Sequence, residues 1–304
     1  MNDREATALA THESHESPGS TAARRQMGRK LTQLRKSRNM RQDDVAAGME
    51  CSQAKLWRLE TGKNSVQATS RDIRHLCEVY GASEEQTADL LALHAQTKIK
   101  GWWHDYSAVP NWFQLYVGLE EAAKSLREYH TELITGVLQT PGYATAVVRA
   151  DASAASEEEV RQLVEVRLKR SNLLTRRVPA PPQFDVILNE SVLRRPVGGP
   201  AVMAEQLRHL AELSELPNVT IRVLSFSAGM HPGALAAGSF VILDFYDPDE
   251  PTQVYCEALT GAAYLHKKKE AERHIWAFDG ISDQALDPVA SRELLIRTAK
   301  EHES

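Results

Sequence analysis

Between residues 42 and 64 the chain groups polar side chains that could meet a charged, hydrogen-bonding surface. Gln42 opens one short apolar-periodic stretch, and Ser52 opens a second, SQAKLWRLETG. Gln53, Ala54, Lys55, Trp57 and Arg58 lie in the second stretch, and Lys63 and Asn64 stand just past its end. Glutamine at position 53 can bond adenine N6 and N7 as a pair. Ala54 can touch a thymine methyl, and Arg58 can read guanine or hold a phosphate. Gln42, Ser52, Lys55, Lys63 and Asn64 suit phosphate oxygens. Trp57 can lie on sugar and backbone or pack against a neighbouring helix. Together this is the chemistry of reading double-stranded DNA, with no bond-making step.

These residues must be held on two short helices. Val45, Ala46, Met49, Leu56 and Leu59 fall at helical spacings within each half and would bury both helices against one core. Ser52 sits where an N-cap belongs, its hydroxyl able to accept from an otherwise unpaired backbone N–H. Backbone N–H groups at both helix starts would attract phosphate as well. A second helix presented in this way can enter a major groove, which is the helix-turn-helix arrangement.

Gln42, Val45-Ala46, Ser52, Leu56, Leu59-Glu60 and Gly62 stand in the register of the lambda-repressor-like (XRE) helix-turn-helix family, which this segment resembles. Two positions depart from the pattern. Glu50 occupies the turn position that is usually Gly, at a cost of ~1 kcal/mol in a left-handed backbone, and Arg41 replaces the usual Ser or Thr. The resemblance implies a compact five-helix DNA-binding domain in which Glu60 makes an internal polar bond. One such motif reads few base pairs, so a homodimer on a two-fold site is expected.

Net charge is −5 over 304 residues, which alone argues against nucleic acid. Its distribution argues the other way. Residues 24–63 hold eleven Lys or Arg against Asp43, Asp44, Glu50 and Glu60, leaving the rest of the chain strongly acidic. A basic module on an acidic body is the footprint of a local phosphate-binding surface. Composition is otherwise that of a soluble protein, with 42% hydrophobic and 25% charged residues and no run long enough for a membrane span. Cys51, Cys77 and Cys256 are far apart and show no metal-ligand spacing, so no cofactor or metal is implied. Their usage fits a reducing cytoplasm, where a nucleoid-associated protein would work.

Along the chain, residues 1–23 read as a disordered leader, 24–99 as the helix-turn-helix domain and 100–304 as a second domain. Helices are expected over 24–38, through Ile73, Leu76, Cys77 and Tyr80 to Gly81, and from a capping box at Ser83 through Leu90, Leu91 and Leu93. GWWHDYSAVPNWFQLY then clusters Trp102, Trp103, Tyr106 and Trp112, either as a ligand or partner pocket or as core-forming linker. One helix is expected over 112–130, another from Ser156 to about Arg177, and others over 201–213, 267–278 and 288–301. Strands are expected over 184–188, 219–226, 239–246 and 253–259. The second domain therefore reads as α+β, with a small, mainly antiparallel sheet carrying helices on one side.

GWWHDY, NWFQLYVGLE, the VLQT and YA elements and VYCEALTGAAYL extend the resemblance to the actinobacterial WhiJ-like family of XRE regulators, which carry a C-terminal domain of unknown function. That resemblance implies a small BldB-like partner protein. His104-Asp105 and His231 invite a catalytic reading. No nucleophile motif, HExxH, phosphate loop or paired-carboxylate signature supports it, so no enzyme is expected. The expected function is a dimeric transcription regulator whose second domain binds a partner or small-molecule signal. The alternative is an antitoxin-like adaptor that sequesters a small protein and uses DNA for autoregulation.

Overall fold

The computed structural model describes residues 21–62, 68–98, 101–151, 156–177, 180–235, 238–246 and 250–304. Most of the expected leader, residues 1–20, lies outside the described residues, as do Lys63 and Asn64. The chain divides between His104 and Asp105 into two units.

The first unit is all-helical. Its elements are α1 (Thr21–Ser37), α2 (Gln42–Gly48), α3 (Gln53–Thr61), α4 (Ser70–Tyr80) and α5 (Glu84–Gln96). Its core gathers Val45, Ala46, Leu56, Leu59, Ile73, Leu76, Tyr80 and Leu90, positions marked by the apolar periodicity, with Met27 and Leu31 of α1. Thr69 and Ser83 close capping boxes at the starts of α4 and α5, satisfying backbone donors that the helices cannot. Gly28 lets α1 lie directly on the end of α3, because a Cβ there would stand 2.7 Å from the carbonyl oxygens of Leu59 and Glu60. Glu50 adopts φ +48°, so the turn keeps its left-handed shape without glycine.

The second unit is mixed. It contains α6 (Asn111–Ala122), β1 (Ala123–His130), α7 (Pro141–Asp151), α8 (Glu157–Arg170), β2 (Gln183–Asn189), α9 (Glu190–Arg194) and α10 (Pro200–Leu213). It continues with β3 (Val219–Leu224), β4 (Phe240–Phe245), β5 (Gln253–Ala258), β6 (Gly261–Leu265), α11 (Lys268–Ser282) and α12 (Pro288–Glu303). The strands form one open sheet in the order β3-β2-β1-β4-β5-β6. The pairs β1–β4, β4–β5 and β5–β6 are antiparallel, while β1–β2 and β2–β3 are parallel.

Three expectations change here. The helix expected over 112–130 stops at Ala122, and residues 123–130 are the central strand β1. The helix from Ser156 ends at Arg170 and passes into a 3-10 turn over Ser171–Leu174. Helices also cover both faces of the sheet rather than one. Leu126, Val186, Ile221 and Leu243 point to one side, with Leu207 and Leu210 of α10 and Leu294 and Leu295 of α12. Tyr129, Ile187, Ile242 and Val254 alternate to the other side, against Ala277, Phe278 and Ile281 of α11. Strands buried on both faces lose the clean polar alternation of a half-solvated sheet.

Candidate nucleic-acid interface

The candidate reader helix α3 begins at a working cap. Ser52 Oγ accepts from Lys55 N at 3.2 Å, and Gly62 ends the helix at φ +62°. Leu56, Leu59 and Glu60 take the buried side of α3, and Ser52, Gln53, Ala54 and Trp57 are exposed. Trp57 is 45% exposed, so its ring stands outside the core.

Glu60 is the hub that orients this helix. It is 4% exposed and accepts Arg35 Nε at 2.7 Å and Nη2 at 2.9 Å, Gln42 Nε2 at 2.8 Å and Tyr80 Oη at 2.7 Å. Four helices are thereby tied to one carboxylate. The hydrogen bonds to Glu60 raise the Arg35 guanidinium above its ordinary value, so it stays charged. Burial, then the Glu60 bond and charge, push the Tyr80 hydroxyl far up, so it remains a donor.

Several candidate contact residues are already engaged within the unit. Gln42 gives one amide proton to Glu60, leaving its second N–H and the α2 backbone for a phosphate. Gln53 Nε2 donates to Asp43 Oδ1 at 2.7 Å, so the expected base reader is hydrogen-bonded across to α2. Lys55 Nζ lies 3.4 Å from Asp72 Oδ1 at the start of α4. Burial works against the charge of Asp72, but Thr69 and Lys55 hold its carboxyl below the usual range. Arg58 is half-buried, and its Nε has no hydrogen-bond partner among the described residues. Asp43 and Asp72 had no signal as partners in the sequence, since both contacts join different helices.

The aromatic run is shared between the two units. Trp102 and Trp103 lie in a 3-10 turn that closes the first unit, with ring centroids 5.6 Å apart and edge-on. Tyr106 lies near the start of the second unit, where its hydroxyl donates to Glu165 at 2.7 Å and Lys169 lies over its ring. Trp112 packs edge-on against Phe113, and its carbonyl accepts Tyr264 Oη. Neither Tyr106 nor Trp112 lines the cavity described further below, whereas Phe113 and Tyr116 of the same aromatic run do. His231 lies edge-on to Tyr129 with its centroid 5.9 Å away, and burial lowers its pKa.

No helix among the described residues is long and apolar enough to cross a membrane. No curated protein and no solved structure matches the chain. Residues 26–90 match a helix-turn-helix domain, which supports DNA binding and a regulatory function for the first unit. Residues 113–297, more than half of the chain, match the family described as "Domain of unknown function (DUF5753)", and the chain belongs to that family.

Proposed function

We propose that the protein is a sequence-specific, dimeric XRE-type transcription regulator. Its α3 reads the major groove, and its second unit receives a signal by binding rather than by catalysis. The observation that carries this reading is the exposed face of α3, Gln53, Ala54 and Trp57, standing at a serine-capped helix start within the basic part of the chain. In this reading Gln53 leaves Asp43 to meet a base edge, and Arg58 supplies a guanine or phosphate contact. Ser52, Lys55, Lys63 and Asn64 hold the backbone. Genome-wide mapping of bound DNA, followed by anisotropy titration of the recovered site against a scrambled one, tests it. Equal affinity for both sequences would refute specific reading.

A small BldB-like partner for the second unit is what the WhiJ-like resemblance implies. The adaptor alternative differs from regulation in its outcome. Co-purification should then recover a stoichiometric small protein, and disrupting that complex should abolish the biological effect while leaving DNA binding intact.

A further inference from the structure

The second unit holds a cavity of about 330 Å³ beyond the carboxyl end of β1, within the size range of small-molecule sites. Its walls are aromatic. Phe113 and Tyr116 come from α6 and Tyr255 from β5, with Tyr116 and Tyr255 stacked at 4.1 Å. Two basic side chains in the wall already have carboxylate partners. Arg170 is buried, held by Glu120 through bonds of 2.8 and 2.7 Å, and lies over the rings of Phe113 and Tyr116. His130 is held by the buried Glu128 at 2.8 Å.

Arg167 differs from these. It lines the same cavity from α8, one turn before Arg170, yet makes no hydrogen bond or ion pair among the described residues. Burial and the neighbouring Arg170 oppose its charge, and Glu257 favours it without an ion pair. Gln139 is fixed by its Nε2 bond to the Ile134 carbonyl at 2.7 Å, and its buried Oε1 has no donor. A water molecule could satisfy Gln139, but it cannot neutralise a guanidinium lined by rings. A carboxylate can, because its two oxygens match the guanidinium fork. Charge limits the ligand further. Among the described residues, Arg167 is the one basic side chain of this wall without a carboxylate partner, and Glu132 and Glu257 also line the cavity. A dianionic phosphate would meet repulsion that a monoanion largely escapes.

We propose that this cavity recognises a small monocarboxylic acid with an aromatic or apolar body, its carboxylate on Arg167 and an N–H or O–H donor on Gln139 Oε1. The assignment rests on the reading of the second unit as the signal-receiving part. Calorimetric titration of the full chain with indole-3-acetate, 4-hydroxyphenylacetate and 3-phenylpropionate tests it, with their primary amides and phenyl phosphate as controls. At least one acid is expected to bind, with its amide and phenyl phosphate at least tenfold weaker. Arg167→Gln should weaken the acid at least tenfold, and Arg167→Lys should recover part of the loss. No binding by any of the acids would overturn the assignment. So would an amide or phosphate that binds as tightly as its acid, or a folded Arg167→Gln chain that binds as tightly as wild type. If the variants fail to fold, the acid–amide comparison on the wild-type chain decides alone. Anisotropy on DNA is read separately. Lost acid binding with specific DNA binding intact overturns the cavity assignment only, and acid binding without specific DNA binding overturns the regulatory reading only.

Discussion

Arg35 of α1 grips Glu60 of α3 through two parallel hydrogen bonds of 2.7 and 2.9 Å, and Gln42 and Tyr80 complete the shell around the same carboxylate. The pair is nearly dry, with side-chain exposures of 13% and 2%. A buried ion pair adds little net stability over apolar packing, but removing one partner strands the other charge. Its chief effect is geometric, since it fixes the angle at which α3 leaves the core.

Glu60→Gln therefore leaves the half-buried Arg35 without a counter-charge, and a loss of ~3 kcal/mol is expected. Urea unfolding of the full chain measures it. Arg35→Met combined with Glu60→Leu should recover only part of that loss, because the buried Tyr80 hydroxyl and the Gln42 amide then lose their acceptor. A Glu60→Gln chain within about 0.5 kcal/mol of wild type would mean that the network contributes little.

Glu50 occupies a left-handed turn at φ +48° that glycine adopts without strain. Glu50→Gly is expected to stabilise the first unit by ~0.5–1 kcal/mol. Thermal unfolding checks this, and a lowered Tm would show that the Glu50 side chain contributes something beyond the turn.

His94 of α5 is 2% exposed, and neither ring nitrogen has a hydrogen-bond partner among the described residues. Burial, then the charge of Lys98, lowers its pKa. Below the unfolded-state value of about 6.5, the unfolded chain takes up a proton that the folded chain resists. Stability is therefore complete above that pH and lost as pH falls through the window beneath it, by at most ~1.4 kcal/mol per pH unit. His94→Leu should flatten this dependence between pH 7.5 and 5.5. Identical pH profiles for the variant and wild type would rule His94 out as the source.

Asp43 holds the Gln53 amide at 2.7 Å and also pairs with Arg41 at 3.3 Å. Asp43→Ala releases both and removes a negative charge beside the reader helix. DNA affinity should rise about threefold to tenfold at low salt and converge on wild type as salt is raised. Weaker binding would instead mean that Asp43 positions Gln53 for its base.

The first unit was legible because its signals are local. The capping residues Ser52 and Ser83 and the apolar periodicity of α3 to α5 follow from short-range pattern, and the internal bond of Glu60 was implied by the family resemblance. The central strand β1 was hidden, because Lys124, Arg127, Glu128 and His130 give it the composition of an exposed helix. Arg127 is answered from a distant strand and Glu128 from two residues along its own. Arg127 meets Asp244 at 3.1 Å across the β1–β4 pair, and Glu128 is kept with His130 inside the fold. The short edge strand β6, GAAYL, is small and lacks β-branched residues, so its pairing with β5 decides its state. The Arg167 cavity was invisible for the same reason. Tyr116, Gln139, Arg167 and Tyr255 come from separate elements.

The most direct test is an anisotropy titration of the full chain on its mapped binding site, comparing wild type with Gln53→Ala and Arg58→Ala. If α3 reads DNA, each substitution should cost ~1–3 kcal/mol on the specific site and much less on scrambled DNA. Two folded variants that keep wild-type affinity and specificity would contradict the assignment of α3 as the reader.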